Sequence, residues 1–114
     1  MSQRLILAST SETRQTLLRN AGVPFEAMAP RVDEDAMRVA MVVEGAPPRD
    51  IADALAELKA RKLSLRHPDA LVLGGDQVLA HKGDILSKPT TIDEARTHLL
   101  RLSGDTHQLL SAAV

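Results

Sequence analysis

Apolar positions along the chain fall into two rhythms. Leu5-Ile6-Leu7-Ala8 and Ala70-Leu71-Val72-Leu73 are short, unbroken runs. Runs of that length, apolar on both faces, predict strands buried inside a sheet. Elsewhere the spacing widens to three and four residues, as on one face of a helix. "STSETRQTLLRNAG" offers Ser9 and Ser11 as N-cap hydroxyls, Leu17, Leu18 and Ala21 as an apolar face, and Gly22 as a closing glycine. Val23 to Ala29, with Pro24 near its start and Pro30 after it, predicts a second strand. The acidic run Asp33-Glu34-Asp35 suits the start of a helix reaching about Glu44, before Gly45, Pro47 and Pro48 break it. A longer helix from Pro48 to about Leu65 carries the stripe Ile51, Ala52, Leu55 and Leu58 and ends before His67-Pro68. Lys59 falls on that stripe, whereas Lys62 and Arg66 fall on a solvated flank.

Downstream of Leu73, Gln77 to Ala80 and Asp84 to Leu86 flank Lys82-Gly83, the pattern of a hairpin. Thr91 or Asp93 caps a helix to about Leu102, with Ala95, Leu99 and Leu102 inward, and Ser103-Gly104 stops it. "THQLLSAAV" begins a last strand. Strands alternating with helices predict an α/β fold: a mixed sheet flanked by helices, as one domain over residues 1–114. The sequence stops in the apolar run Leu109 to Val114, which leads us to expect the N-terminal part of a longer fold.

Composition narrows the function more than the fold. A net charge of -1 gives no pull toward nucleic acid or a membrane surface, and neither is expected as a partner. Phe25 is the only aromatic residue, so the core is aliphatic and no stacking platform for single strands can be built. The absence of cysteine excludes disulfides and thiolate metal sites and suits a reducing compartment. The run from Leu5 to Ala8 is too short for a signal peptide or a membrane span, and a soluble, cytoplasmic protein is expected. His67, His81, His98 and His107 lack metal-ligand spacing and read as ordinary surface or turn residues.

Candidate chemistry gathers at the ends of the two apolar runs. Leu73 leads into Gly74-Gly75 and then Asp76, with the amide of Gln77 beside it. Ligands of α/β sheets collect beyond the carboxyl ends of strands, and the glycines allow close approach there. An exposed aspartate after a glycine pair is the plainer alternative. The turn "ASTSETR" offers hydroxyls, free N–H groups and Arg14, a set able to hold a phosphate, or else simply a capped helix with a surface arginine. Lys59 either snorkels from its stripe or meets an anion. Glu34 lies in a run that also suits a solvated helix start, and Lys88, before Pro89, lies in an extended segment. Together, two carboxylates with Arg14, Lys59 and Lys88 suit a polyphosphate held with a divalent metal, since carboxylate oxygens are hard ligands for Mg²⁺.

These segments also resemble a known family. "LILASTSETRQTLL", "GVPFEAMAPRVDED", "ALAELKA", "LVLGGDQV", "DILSKP" and "LLRLSGDTH" are similar, in order, to the conserved segments of the Maf nucleoside triphosphate pyrophosphatases. The resemblance implies a mixed α/β fold related to the inosine triphosphatases. It also implies hydrolysis of the α–β phosphoanhydride of a nucleoside triphosphate to the monophosphate and pyrophosphate, with Mg²⁺ or Mn²⁺. It implies that Glu34 and Asp76 serve metal binding and water activation, and that Lys59 joins them in catalysis. Ser9, Ser11, Arg14, Lys59, Gln77 and Lys88 then serve substrate binding, and a homodimer is the assembly it suggests. Gln77, the Ser-Thr-Ser turn and "APRVDED" resemble the subgroup acting on 7-methyl-GTP. A dTTP or UTP pyrophosphatase and a non-catalytic nucleotide-binding regulator of cell division or septum formation are the alternatives. Glu12, Thr13 and Gln15 depart from the family by removing positive charge and adding an acid. Family members are also longer, which leads us to expect that the C-terminal portion is lacking here.

Overall fold

The computed structural model describes residues 3–114, with elements β1 (Arg4–Leu7), α1 (Glu12–Asn20), β2 (Glu26–Ala27), α2 (Glu34–Val43), α3 (Pro48–Arg66), β3 (Ala70–Leu73), β4 (Gly75–His81), β5 (Asp84–Leu86), α4 (Ile92–Leu102) and β6 (Gln108–Ala113). The architecture is α/β, as the alternating pattern predicts. The strands form two three-stranded sheets. One is parallel with order β2-β1-β3, and the other is antiparallel with order β5-β4-β6. Central β1 pairs Ile6 with Val72 and Leu7 with Leu73, and its unbroken apolar run follows from burial between α-helical and strand neighbours. β2 is much shorter than the expected Val23 to Ala29. Pro24 has no N–H to donate, and beyond Glu26 and Ala27 only Met28 adds a bond, its N–H donating to the Leu7 carbonyl at 2.9 Å.

α3 is the keel of both sheets. Ile51, Ala52 and Leu55 pack with Val78 of β4, while Leu63 packs with Ile6 and Ala8. The passage from β3 to β4 runs against this helix at Gly74, where an added Cβ would sit 2.2 Å from the Ala56 carbonyl oxygen. Only glycine permits that approach. Gly74 also exchanges backbone hydrogen bonds with Val114, at 2.8 and 2.9 Å, tying the end of β6 to the junction of the two sheets. The hairpin falls at Lys82-Gly83, with φ of 51° and 83°, the two left-handed residues of a type I′ turn.

Two helices do not bury the faces that their spacing suggests. α1 contributes no buried residue, and Leu17 of its apolar face is exposed. α4 likewise buries nothing, and Leu99, expected inward, is 69% exposed. Polar contacts attach α4 instead. Arg101 Nε donates to His81 Nδ1 at 2.9 Å and a second guanidinium nitrogen donates to Asp84 at 2.9 Å. His81 Nε2 in turn meets Asp105 at 3.0 Å. His81 is therefore no surface residue. It ends β4 on the strand face opposite Val78 and Ala80, and the contacts of Arg101 and Asp105 enclose it there.

Candidate active site

β1 delivers the chain into Ala8-Ser9-Thr10-Ser11, and this turn is packed rather than loose. Ser9 is buried, and its Oγ accepts the Ser11 N–H at 3.0 Å. Ser11 is the N-cap of α1, accepting the Arg14 N–H at 3.3 Å. The two serines thus divide the work that either was expected to do. The Arg14 side chain turns back over the same loop, 3.5 Å from Ser9 Oγ, and passes Gly75, where an added Cβ would lie 3.3 Å from Arg14 Nε. The second glycine makes room for an arginine, as the first makes room for a helix.

Asp76 lies one residue inside β4 and is 6% exposed, so the exposed-turn alternative falls. Lys59 is equally buried and does not snorkel. Its Nζ lies 2.6 Å from Glu34 Oε1, 2.8 Å from Asp76 Oδ1 and 3.2 Å from the Gly75 carbonyl oxygen. Two of the ammonium's three N–H donors go to Asp76 Oδ1 and the Gly75 carbonyl, and Glu34 is held as an ion pair. Burying a lysine is costly unless it is paired, and the two carboxylates meet that cost. Helix geometry explains the meeting: Lys59 sits one turn beyond Leu55 on the buried stripe of α3, facing the start of β4 and the first turn of α2. The acidic start of α2 is accordingly split in use. Asp33 caps the helix by accepting the Ala36 N–H at 3.0 Å, Glu34 turns inward to Lys59, and Asp35 faces solvent.

An open cleft of about 1090 Å³ runs past these groups. It gathers every expected site residue: Ser9, Ser11, Arg14, Glu34, Lys59, Asp76, Gln77 and Lys88. Lys88 and Gln77 are exposed on its walls. Gln77 Nε2 donates to Ser111 Oγ at 3.0 Å, across the β4–β6 pairing. Glu12, the acid that departs from the family pattern, also lines the cleft. Sequence reasoning passes over Arg38 and Ser111. The signal for Arg38 is its position four residues after Glu34 on α2, which puts both on one face. No comparable signal marks Ser111, because strand pairing alone brings it to Gln77.

Asp76 Oδ2 is the one buried side-chain oxygen or nitrogen among the described residues without a hydrogen-bond partner. An oxygen left so is suited to a cation or a water. With Glu34 it forms the hard, oxygen-rich donor set that Mg²⁺ takes from proteins, one or two carboxylates with the remainder supplied by water and phosphate. Among the described residues no cluster of three or more His, Cys, Asp or Glu forms a complete cage. The two carboxylates therefore fit a metal shared with a phosphate substrate better than a metal held by protein alone.

The sequence pattern of the Maf-like protein family matches residues 4–114. The chain belongs to the Maf family. The chain is 57% identical over 114 residues to a nucleoside triphosphate pyrophosphatase of Ruegeria pomeroyi, a match covering all of this chain and 57% of that protein. It is 57% identical over 111 residues to nucleoside triphosphate pyrophosphatase 1 of a Jannaschia species, covering 97% of this chain and 56% of the relative. A 7-methyl-GTP pyrophosphatase of Mesorhizobium japonicum is 48% identical over 114 residues, covering all of this chain and 57% of that protein. This Maf chain thus spans little more than half the length of the relatives it matches. No described helix is long and apolar enough to cross a membrane.

Proposed function

We propose that this Maf chain carries the reaction centre of a nucleoside triphosphate pyrophosphatase, cleaving between the α- and β-phosphates. The observation that carries the reading is the Glu34–Lys59–Asp76 cluster, with Lys59 and Asp76 buried and Glu34 half-exposed, in a cleft walled by Arg14, Lys88 and Gln77. The names of the relatives support it. Asp76, held rigidly at the start of β4, orients a water toward the α-phosphorus and takes its proton. Lys59 fixes the separation of the two carboxylates. Arg14 and Lys88 bind phosphate oxygens and offset charge on the departing pyrophosphate, and the α1 turn adds first-turn N–H groups that have no intrahelical partner. Glu34 and Asp76 Oδ2 would hold Mg²⁺ or Mn²⁺, which when bound supplies further charge neutralisation at the phosphates. The compartment this reading implies is the cytoplasm, where nucleoside triphosphates are available.

Within that reading, 7-methyl-GTP is the substrate we favour over dTTP and UTP. Gln77 offers an amide with paired donor and acceptor, able to read a purine edge, and one relative's name points the same way. Pyrophosphate release measured over a nucleotide panel with Mg²⁺ tests both levels. The expected result is fastest turnover of 7-methyl-GTP, a loss of at least about a hundredfold in Asp76→Asn, consistent with losing a general base, and a changed base preference in Gln77→Thr. Turnover retained by Asp76→Asn removes it from the role of base, and equal rates on all bases in both chains remove Gln77 as a reader.

A further inference from the structure

Arg38 lines the same cleft and has no part in the scheme above. Its side chain is largely covered, with 21% exposed, yet its one acceptor among the described residues is Asp35 Oδ1 at 2.6 Å, on a carboxylate that is 90% exposed. A guanidinium has five N–H donors, so most of this one's hydrogen-bonding capacity has no protein partner. Ion pairs between neighbouring side chains at a helix surface hold their members weakly and yield to a better partner. A phosphate group is such a partner, because two of its oxygens match the planar fork of arginine. α2 places Arg38 one turn beyond Glu34, so an anion bound to it lies next to the carboxylate–lysine cluster rather than at a separate site.

We propose that Arg38 is a further phosphate ligand of this cleft, taking the pyrophosphate end of the substrate, and that Asp35 is its resting partner, released when the anion binds. The assignment rests on the pyrophosphatase reading and extends it. Asp35 then acts as a competitor for Arg38, and this sets the proposal apart from a stabilising role for the pair. Removing either member abolishes the same helix-surface contact, so a merely structural pair predicts similar changes in both variants. Competition predicts opposite changes in anion affinity.

The test is calorimetric titration of inorganic pyrophosphate, with Mg²⁺, into the whole chain and its Arg38→Ala, Arg38→Lys and Asp35→Ala variants, alongside thermal melts and steady-state kinetics. Arg38→Ala should weaken pyrophosphate binding about tenfold, the order of one charge-assisted hydrogen bond. Arg38→Lys should recover part of that loss, and Asp35→Ala should tighten binding severalfold, while the two alanine variants melt alike. The KM for the triphosphate should follow the same order. Affinity unchanged in both alanine variants, or weakened in both, overturns the proposal while leaving wild-type turnover and the pyrophosphatase reading intact. Opposite shifts in pyrophosphate affinity in a chain that hydrolyses no nucleotide would sink the reaction and keep Arg38 as an anion ligand.

Discussion

Lys59 shows how one residue ties stability to the candidate chemistry. Among the described residues its ammonium is the sole cation paired with buried Asp76, and it also holds Glu34. Lys59→Ala leaves the Asp76 carboxylate buried without a counter-charge, the situation in which breaking a buried pair costs about 3–5 kcal/mol. Urea denaturation should show a loss of that order. A loss below about 1 kcal/mol, within the range of exposed pairs, would mean that water reaches Asp76 freely. The neighbouring glycines separate the two needs. Gly74→Ala drives a methyl group into the fixed Ala56 carbonyl, so we expect about 3 kcal/mol of destabilisation from overpacking. Gly75→Ala meets the flexible end of Arg14, which can move aside, so the fold should persist while pyrophosphate affinity falls. Parallel melts and titrations of the two variants check this, and a Gly74→Ala chain as stable as the parent would contradict the close approach of β3–β4 to α3.

Among the elements, α4 is held by polar contacts rather than by burial. At its start Thr91 Oγ1 accepts the Glu94 N–H at 3.1 Å, while Glu94 accepts the Thr90 N–H at 2.7 Å, an arrangement close to a capping box. At its far end Arg101 and Asp105 clasp His81. Hydrogen bonds from Thr90 hold the Glu94 carboxyl below its ordinary range, and hydrogen bonds from His81 and then Lys82 do the same for Asp105. A carboxyl with a lowered folded value contributes stability that is complete above its ordinary pKa and is lost as pH falls through the folded one. α4 should therefore loosen on acidification below about pH 4, the ordinary carboxylate region, before α3 does. Amide exchange resolved by element reads this out. Simultaneous loss of protection in α3 and α4 would show that α4 is held by something other than these carboxyls. α3, with seven buried residues, is the opposite case.

The whole molecule is less compact than its length allows. Its radius of gyration is 15.7 Å, against about 13 Å for a compact chain of this size, and its extents are 52 × 32 × 23 Å. Large apolar residues stand exposed on α1 (Leu17), α2 (Val39, Val42, Val43), α4 (Ile92, Leu99, Leu100) and β6 (Leu109). Such surface on a small domain favours association. Light scattering over a concentration series should show the apparent mass rising with concentration, and a constant monomer mass throughout would show that these faces stay solvated.

Much of this protein was legible in its pattern of residues. The strands β1 and β3, the length of α3, the hairpin at Lys82-Gly83 and the N-caps all follow from local rules, because spacing, turn chemistry and capping act over a few neighbouring residues. The burial expected of β3 does not follow, since the strand buries no residue and Leu71 is exposed. The ordered segments from the first serine turn to Lys88 marked the family and the cleft residues for the same reason. What the tertiary structure alone decided is where long-range contacts point each side chain. Lys59 reads as a stripe residue until α2 and β4 converge on it. His81 reads as a turn residue until α4 returns over it. Leu17 and Leu99 read as core positions, yet no layer of the described chain covers them. Periodicity reports that a face is apolar, but its burial depends on what packs there, and a carboxylate becomes a candidate base only once the fold has removed it from water.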